Sequence, residues 1–323
     1  MTVTDSVLDA PEAQRGAGNE SVDAPRATDD GLELDPVVRR RRSPTRALIA
    51  TSLATLTAVA AVIVLQLFVL GRLQHQASQH AAFDRFRYEL AQGTAPVAQT
   101  DRSGKLLDVG RPVAIVEIPR IGLHEVVLEG TTGEVLMDGA GHRRDSVLPG
   151  QAGSSVIYGR AATYGAPFKR LHELRAGDKI TVTTGQGAAT YTVIGQRYGG
   201  DPAAKPLASG KGRLVLVTAT GLPLMPSGVV RVDADLDNQP FATPATVIPA
   251  NTLPGSEGPL GTDSGTAWAL ALWLQGLLLA MIGGVFAWYR WGKVQAWIVF
   301  MPLTALTALA VVDQLMKLLP NLM

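Results

Sequence analysis

The chain of 323 residues contains no cysteine. That absence excludes a disulfide framework, a Cys-ligated zinc or iron–sulfur site and any thiol nucleophile. Charge is sparse too: Asp, Glu, Lys and Arg make up 18% of residues, against about a quarter in soluble globular chains. A net charge of +1 leaves no global electrostatic footprint for nucleic acid, so none is expected as a partner. The five histidines, His75, His80, His124, His142 and His172, lack ligand spacing such as i, i+4. No metal site and no cofactor is expected. What the sequence does have is apolar residues, at 46%, and some of the chain is expected to sit in lipid.

The charges divide the chain. In residues 1–38 Asp and Glu far outnumber Arg15 and Arg26, prolines are scattered and apolar periodicity is absent. With the basic cluster Arg39–Arg42 and Arg46, residues 1–46 read as a disordered cytoplasmic tail. Residues 47–70 then carry no charge. At 1.5 Å per residue they reach about 36 Å, enough to cross a hydrocarbon core of about 30 Å. A cleaved signal peptide is the competing reading, but the apolar stretch is too long and begins too deep in the chain.

Two further uncharged stretches, 266–289 and 294–312, are separated by Arg290, Trp291, Gly292 and Lys293. They predict a helical hairpin, 266–289 and 294–318, with a basic turn. All five tryptophans lie in it, mostly near helix ends, where amphipathic rings favour the headgroup region. The positive-inside rule places the Arg39–Arg46 cluster and the Arg290/Lys293 turn on the cytoplasmic side. The segment between the spans and the C-terminus then lie outside. Small residues at every fourth position, Ala50, Ala54 and Ala58 and again Gly276, Ala280 and Gly284, suggest helix packing; chance in alanine-rich helices is the alternative.

Residues 71–112 read as a stalk and linker, with Leu73, Phe83, Phe86 and Leu90 at helical spacings. From 113 to 237 the pattern becomes short β-rich runs broken by Gly and Pro: 113–118, 126–128, 154–158, 179–183, 189–194, 213–218 and 229–236. Such spacing predicts a closed or nearly closed barrel, a mainly β domain. Residues 238–265, rich in Pro, Thr, Gly and Ser, read as a flexible linker.

Several segments of this region resemble the sortase family, most closely its actinobacterial, class E/F-like members. They are Ile118-Pro-Arg-Ile-Gly-Leu123, Leu128-Glu-Gly130, Gly139-Ala-Gly-His142 with Leu148-Pro-Gly-Gln151, Thr163-Tyr-Gly-Ala-Pro-Phe168, Leu171-His-Glu-Leu-Arg-Ala-Gly-Asp178 and Leu214-Val-Leu-Val-Thr218. Each is weak alone; together they stand in the family's order. The resemblance implies a closed barrel of about eight strands on a membrane-anchored transpeptidase. In such an enzyme a cysteine attacks the backbone of a C-terminal sorting signal, and an amine from a cell-wall precursor or pilin resolves the acyl-enzyme.

Carried over residue by residue, the resemblance implies a degenerate member. Arg160, in Gly159-Arg160-Ala161, holds the place of the family's histidine. Ala219, after Leu216-Val217-Thr218, holds that of the cysteine. Arg231 is the one candidate for the family's arginine, displaced by about two residues, and His142 matches a common non-catalytic position. A methyl group offers no nucleophile, and a guanidinium exchanges no proton near neutral pH. A hydroxyl rescue by Thr218 or Thr220 needs a base within reach. Ser154, Ser155, His142 and Asp145 can be drawn as a triad, but in a Gly-rich loop such residues are more often turn formers.

The resulting expectation is a catalytically inactive, sortase-like membrane protein at the outer face of the cytoplasmic membrane. Its groove of Tyr158, Arg160, Thr218, Ala219, Thr220 and Arg231 would bind a sorting-signal-like peptide, a surface protein or a wall polymer, or serve an active sortase. Arg160 is either a fixed cation for a carboxylate or a solvated side chain in a drifted loop. The alternatives are a membrane assembly subunit working through its helices, and an enzyme with a rebuilt hydroxyl site.

Overall fold

The structure is a computed structural model that describes residues 57, 61–62, 64–223, 225–262, 265 and 267–323. The expected tail 1–46, the stripe Ala50, Ala54 and Ala58, and most of the span 47–70 lie outside the described residues. The described end of that span passes through a π turn, Gln66–Leu70, straight into helix α1, Gly71–Ala91.

Alternating inward apolar residues build the domain that follows. Among the described residues there are eight strands: β1 Pro112–Ile118, β2 Leu123–Glu129, β3 Ala140–His142, β4 Gly153–Tyr158, β5 Lys179–Thr184, β6 Gly187–Arg197, β7 Gly212–Leu222 and β8 Met225–Leu236. They close in the order β1-β2-β3-β4-β7-β8-β6-β5. The β2–β3 and β4–β7 pairs are parallel and the rest antiparallel. Closure removes the edges that an open sheet would leave unpaired. Ile180 and Val182 of β5, Tyr191 of β6, Leu214 and Leu216 of β7 and Val232 of β8 fill the interior.

Helix α1 is not a free-standing stalk. Its Phe86, fully buried, packs on Ile115, Val126, Leu128 and Val135. The Gln79 amide joins it to the barrel: Nε2 donates to the Val126 and Asp138 carbonyls, and Oε1 accepts from Val126 N–H at 2.7 Å. A short helix, α2, Gly133–Asp138, is capped by the Thr132 hydroxyl and lies between β2 and β3.

The segment after β8 is also docked rather than flexible. Phe241 donates its N–H to the Gly150 carbonyl at 2.8 Å, and its ring covers Gly150. Gly150 has φ +90°, and a Cβ there would sit 2.5 Å from that ring. Further along, Val247 and Ile248 N–H groups donate to Gln99 Oε1. The Glu257 carboxylate, nearly buried, pairs with Arg144. The segment whose composition suggests flexibility thus supplies main-chain donors, an aromatic ring and a carboxylate to the barrel.

Helices α3, Ala267–Arg290, and α4, Lys293–Lys317, are long and apolar enough to cross a membrane, and most of their large apolar side chains are exposed. They pack on each other where Gly283 and Gly284 admit the Phe300 ring. Ala280 is buried, whereas Gly276 faces open space, so only part of the small-residue stripe is used. At its far end α4 packs Val312 and Met316 against Met137, Tyr164 and Val62.

Candidate functional site

Strands β4 and β7 run parallel, with Tyr158 beside Val217. Alternation turns Tyr158, Val215 and Val217 to the outer face of the barrel, where they join Leu136 of α2 and Val229 of β8 in an apolar floor. Val156 and Ala219 pack at its margin. Beyond β4 the chain turns through Gly159, where a Cβ would lie 2.5 Å from the Phe168 ring. The turn is held by Gly159 N–H to Val217 O and by Thr218 Oγ1 to Gly159 O at 2.7 Å.

That turn aims Arg160 inward, and the solvated-loop reading fails: the residue is 1% exposed. Its Nε donates to Leu136 O, Nη2 to Gly133 O, and Nη1 to both Thr163 Oγ1 and Met323 O, at 3.0–3.1 Å. The guanidinium also lies 5.2 Å from the Tyr164 ring centre. Burial pulls its pKa down to about 10, opposed by Tyr164, so it remains a cation at neutral pH. Among the described residues it has no side-chain carboxylate partner.

The residues predicted to form one groove are divided. Thr218, Ala219 and Thr220 line a cavity of about 290 Å³ together with His172 and Met323. Tyr158 and Arg231 instead line one of about 450 Å³, roofed by residues 253–259. The divider is the far end of the chain. Leu322, fully buried, lies in the apolar floor, and its carbonyl accepts from Ala161 N–H at 3.0 Å. Nothing in residues 318–323 announces such docking; only the low charge of the tail is compatible with it. His172 carries no local signal either, because its place on the cavity of Thr218 and Thr220 arises from the fold.

The drawn triad does not form. His142 Nδ1 meets Glu129 Oε2 at 2.9 Å, and its Nε2 lies 3.0 Å from Val147 O and 3.1 Å from Ser146 Oγ. Ser146 donates to Arg143 O and accepts from Val156 N–H, and His142 is fully buried. Burial lowers the His142 pKa, but the Glu129 charge and hydrogen bond outweigh it, and the net direction is upward. The result is a sealed structural pair. Asp145 pairs with Arg143; Ser154 is exposed, and Ser155 Oγ is buried without a partner among the described residues.

A further cavity, about 760 Å³, lies elsewhere, between α1 and the barrel, and is lined by His75, His80 and His124 among others. Among the described residues no group of three or more His, Asp or Glu side chains is gathered to hold a metal ion.

A sortase-domain profile matches residues 116–224, the stretch from within β1 to the β7–β8 turn. Sortase E from Streptomyces avermitilis is 33% identical, covering 42% of this chain and 93% of that one, with a TM-score of 0.36. The chain belongs to the sortase family. Sortase D of Bacillus subtilis (strain 168) is 33% identical over 87 residues, 27% of this chain and 42% of that relative. A Clostridium perfringens sortase D5 transpeptidase is 21% identical, with a TM-score of 0.42, and covers 50% of this chain. The sortase profile thus ends before β8, the C-terminal helices and the segment that divides the groove.

Proposed function

We propose that this sortase-family chain is catalytically inactive and serves as a binding or scaffolding factor at the outer face of the cytoplasmic membrane. The observation that carries the reading is the state of Arg160. At the turn where the resemblance places a proton-transferring histidine stands a buried cation whose hydrogen bonds go to main-chain carbonyls and Thr163. Ala219, at the position of the nucleophile, offers a methyl group, and no cysteine exists elsewhere in the chain.

The path of the chain supports the orientation. Helix α3 leaves from a segment bound to the barrel, and α4 ends in residues bound to the barrel. Both outer ends of the hairpin therefore lie on the barrel's side, and the Arg290/Lys293 turn lies opposite. With that basic turn in the cytoplasm, the barrel is extracytoplasmic. A sorting-signal-like peptide, a surface protein or an active sortase is the partner this placement fits.

Two other readings have one observation each. Exposed apolar faces on α3 and α4 favour an assembly subunit working through its helices. His172 on the same cavity as Thr218 and Thr220 favours a rebuilt hydroxyl site, although Thr218 already donates its proton to Gly159 O. Fluorescence anisotropy of labelled sorting-signal peptides with the full chain in micelles tests the first reading. It expects saturable binding and recovery of intact peptide; absence of binding at every peptide concentration would refute it.

A further inference from the structure

The groove already holds a segment of the chain itself, a turn in which Met323 N–H donates to Pro320 O at 3.1 Å. Residues Asn321, Leu322 and Met323 are buried against the barrel. Leu322 fills the apolar floor beside Tyr158, Leu136, Val217 and Val229, and its carbonyl takes Ala161 N–H. Met323 O accepts from Arg160 Nη1 at 3.1 Å and from Thr163 Oγ1 at 2.6 Å. Asn321 Nδ2 donates to the carbonyls of Thr131, Ser256 and Gly258, and its N–H donates to Gly261 O. Most of these contacts are to main chain, with one apolar pocket and one carboxamide; they can be made by a peptide that turns in the same way and carries a carboxamide side chain followed by a leucine-sized one.

Two features mark the segment as displaceable rather than a permanent part of the core. Asn321 Oδ1 is buried without a donor among the described residues, an unmet acceptor that a better-fitting ligand avoids. The groove also continues past the segment, into the cavity at Thr218–Thr220 and that at Tyr158 and Arg231, and the Arg231 side chain has no hydrogen bond or ion pair among the described residues. Room and an open cation remain where a longer peptide would run.

Resting on the reading of this groove as a site that binds without turnover, we propose that residues 320–323 are a tethered occupant of a peptide site. An external peptide with the same Asn-Leu-apolar pattern binds by displacing it. Helix α4 ends at Lys317, so the tether is short and its effective concentration is on the order of millimolar. Displacement releases the end of α4 from the barrel. Binding in the groove and docking of the membrane hairpin are then reciprocally coupled.

The absence of cysteine makes the test direct, since Met323→Cys places a single thiol at a buried position in the full chain, read by maleimide labelling in micelles. The competitor is the synthetic peptide Leu-Leu-Pro-Asn-Leu-Met. The expected result is slow labelling alone, accelerated at least ~3-fold by millimolar peptide and not by a scrambled one. A second variant, Leu322→Asp, places a charge in the apolar floor and is expected to raise the affinity for labelled peptide at least ~10-fold. Labelling at the rate of a free thiol, or indifference to the peptide together with equal affinity in Leu322→Asp, would overturn the proposal. Cleavage of the peptide, seen by mass spectrometry, would instead refute the underlying reading of the groove and leave the labelling rates to decide the displacement.

Discussion

Arg160 provides the sharpest test of how the site is built. Truncation to alanine removes the donors to Gly133 O and Leu136 O, while Met323 O keeps its bond from Thr163. Two buried carbonyls lose a partner at about 1–3 kcal/mol each, and the contact with Tyr164 contributes about 1 kcal/mol more. Removing a buried cation that has no side-chain carboxylate partner offsets part of this. The expected net loss for Arg160→Ala is about 3 kcal/mol. Arg160→Lys is expected to be no better: an ammonium keeps the buried charge but lacks the planar fork that reaches Leu136, Gly133 and Met323 together. Urea unfolding of the full chain in micelles, followed by the circular dichroism of the barrel, measures both. A change within ~0.5 kcal/mol for either variant is what an exposed side chain gives, and it would refute the reasoning.

Other perturbations test the rest of the architecture. The folded pKa of His142 lies above its ordinary 6.5, so its pairing with Glu129 contributes fully below that value and is lost as pH rises through the folded value. The stability of the chain relative to His142→Gln should therefore shrink from about pH 6.5 upward; a difference that grows with pH contradicts the pairing. Arg144→Ala leaves Glu257 buried without its partner and should destabilise the linker by about 3 kcal/mol, read as faster hydrogen exchange over 247–258. Phe86→Ala should weaken docking of α1 by about 3–5 kcal/mol, with amides of 71–91 exchanging faster while barrel amides hold. Unchanged exchange in α1 would mean that the helix does stand free.

How far the sequence could be read depended on whether the signal was local. The two C-terminal helices and most strands stood out because their apolar periodicity is their own. Strand β3 did not, since Ala140-Gly-His142 is too short to show a period of two. The start of β2 at Leu123 was hidden by the exposed His124 before Glu125. Arg160 could be placed in its turn but not oriented, because its acceptors come from α2 and from Met323, far along the chain. The same distance hid the division of the groove: Tyr158 and Arg231 share a face with Val217, but residues 253–259 and 321–323 cross between them and Ala219. A composition of Pro, Thr and Gly reads as a flexible linker, yet Phe241, Val247 and Glu257 each meet a specific partner on the barrel.

The central claim is that a buried Arg160 and Ala219 leave this sortase fold able to bind and unable to transfer. The most direct measurement incubates the full chain in micelles with a sorting-signal peptide and an acceptor amine, and follows both peptide and protein by intact mass. The account predicts recovered peptide and an unmodified chain at every time point. A covalent adduct or ligated product that disappears on Thr218→Ala, Thr220→Ala or His172→Ala would contradict it.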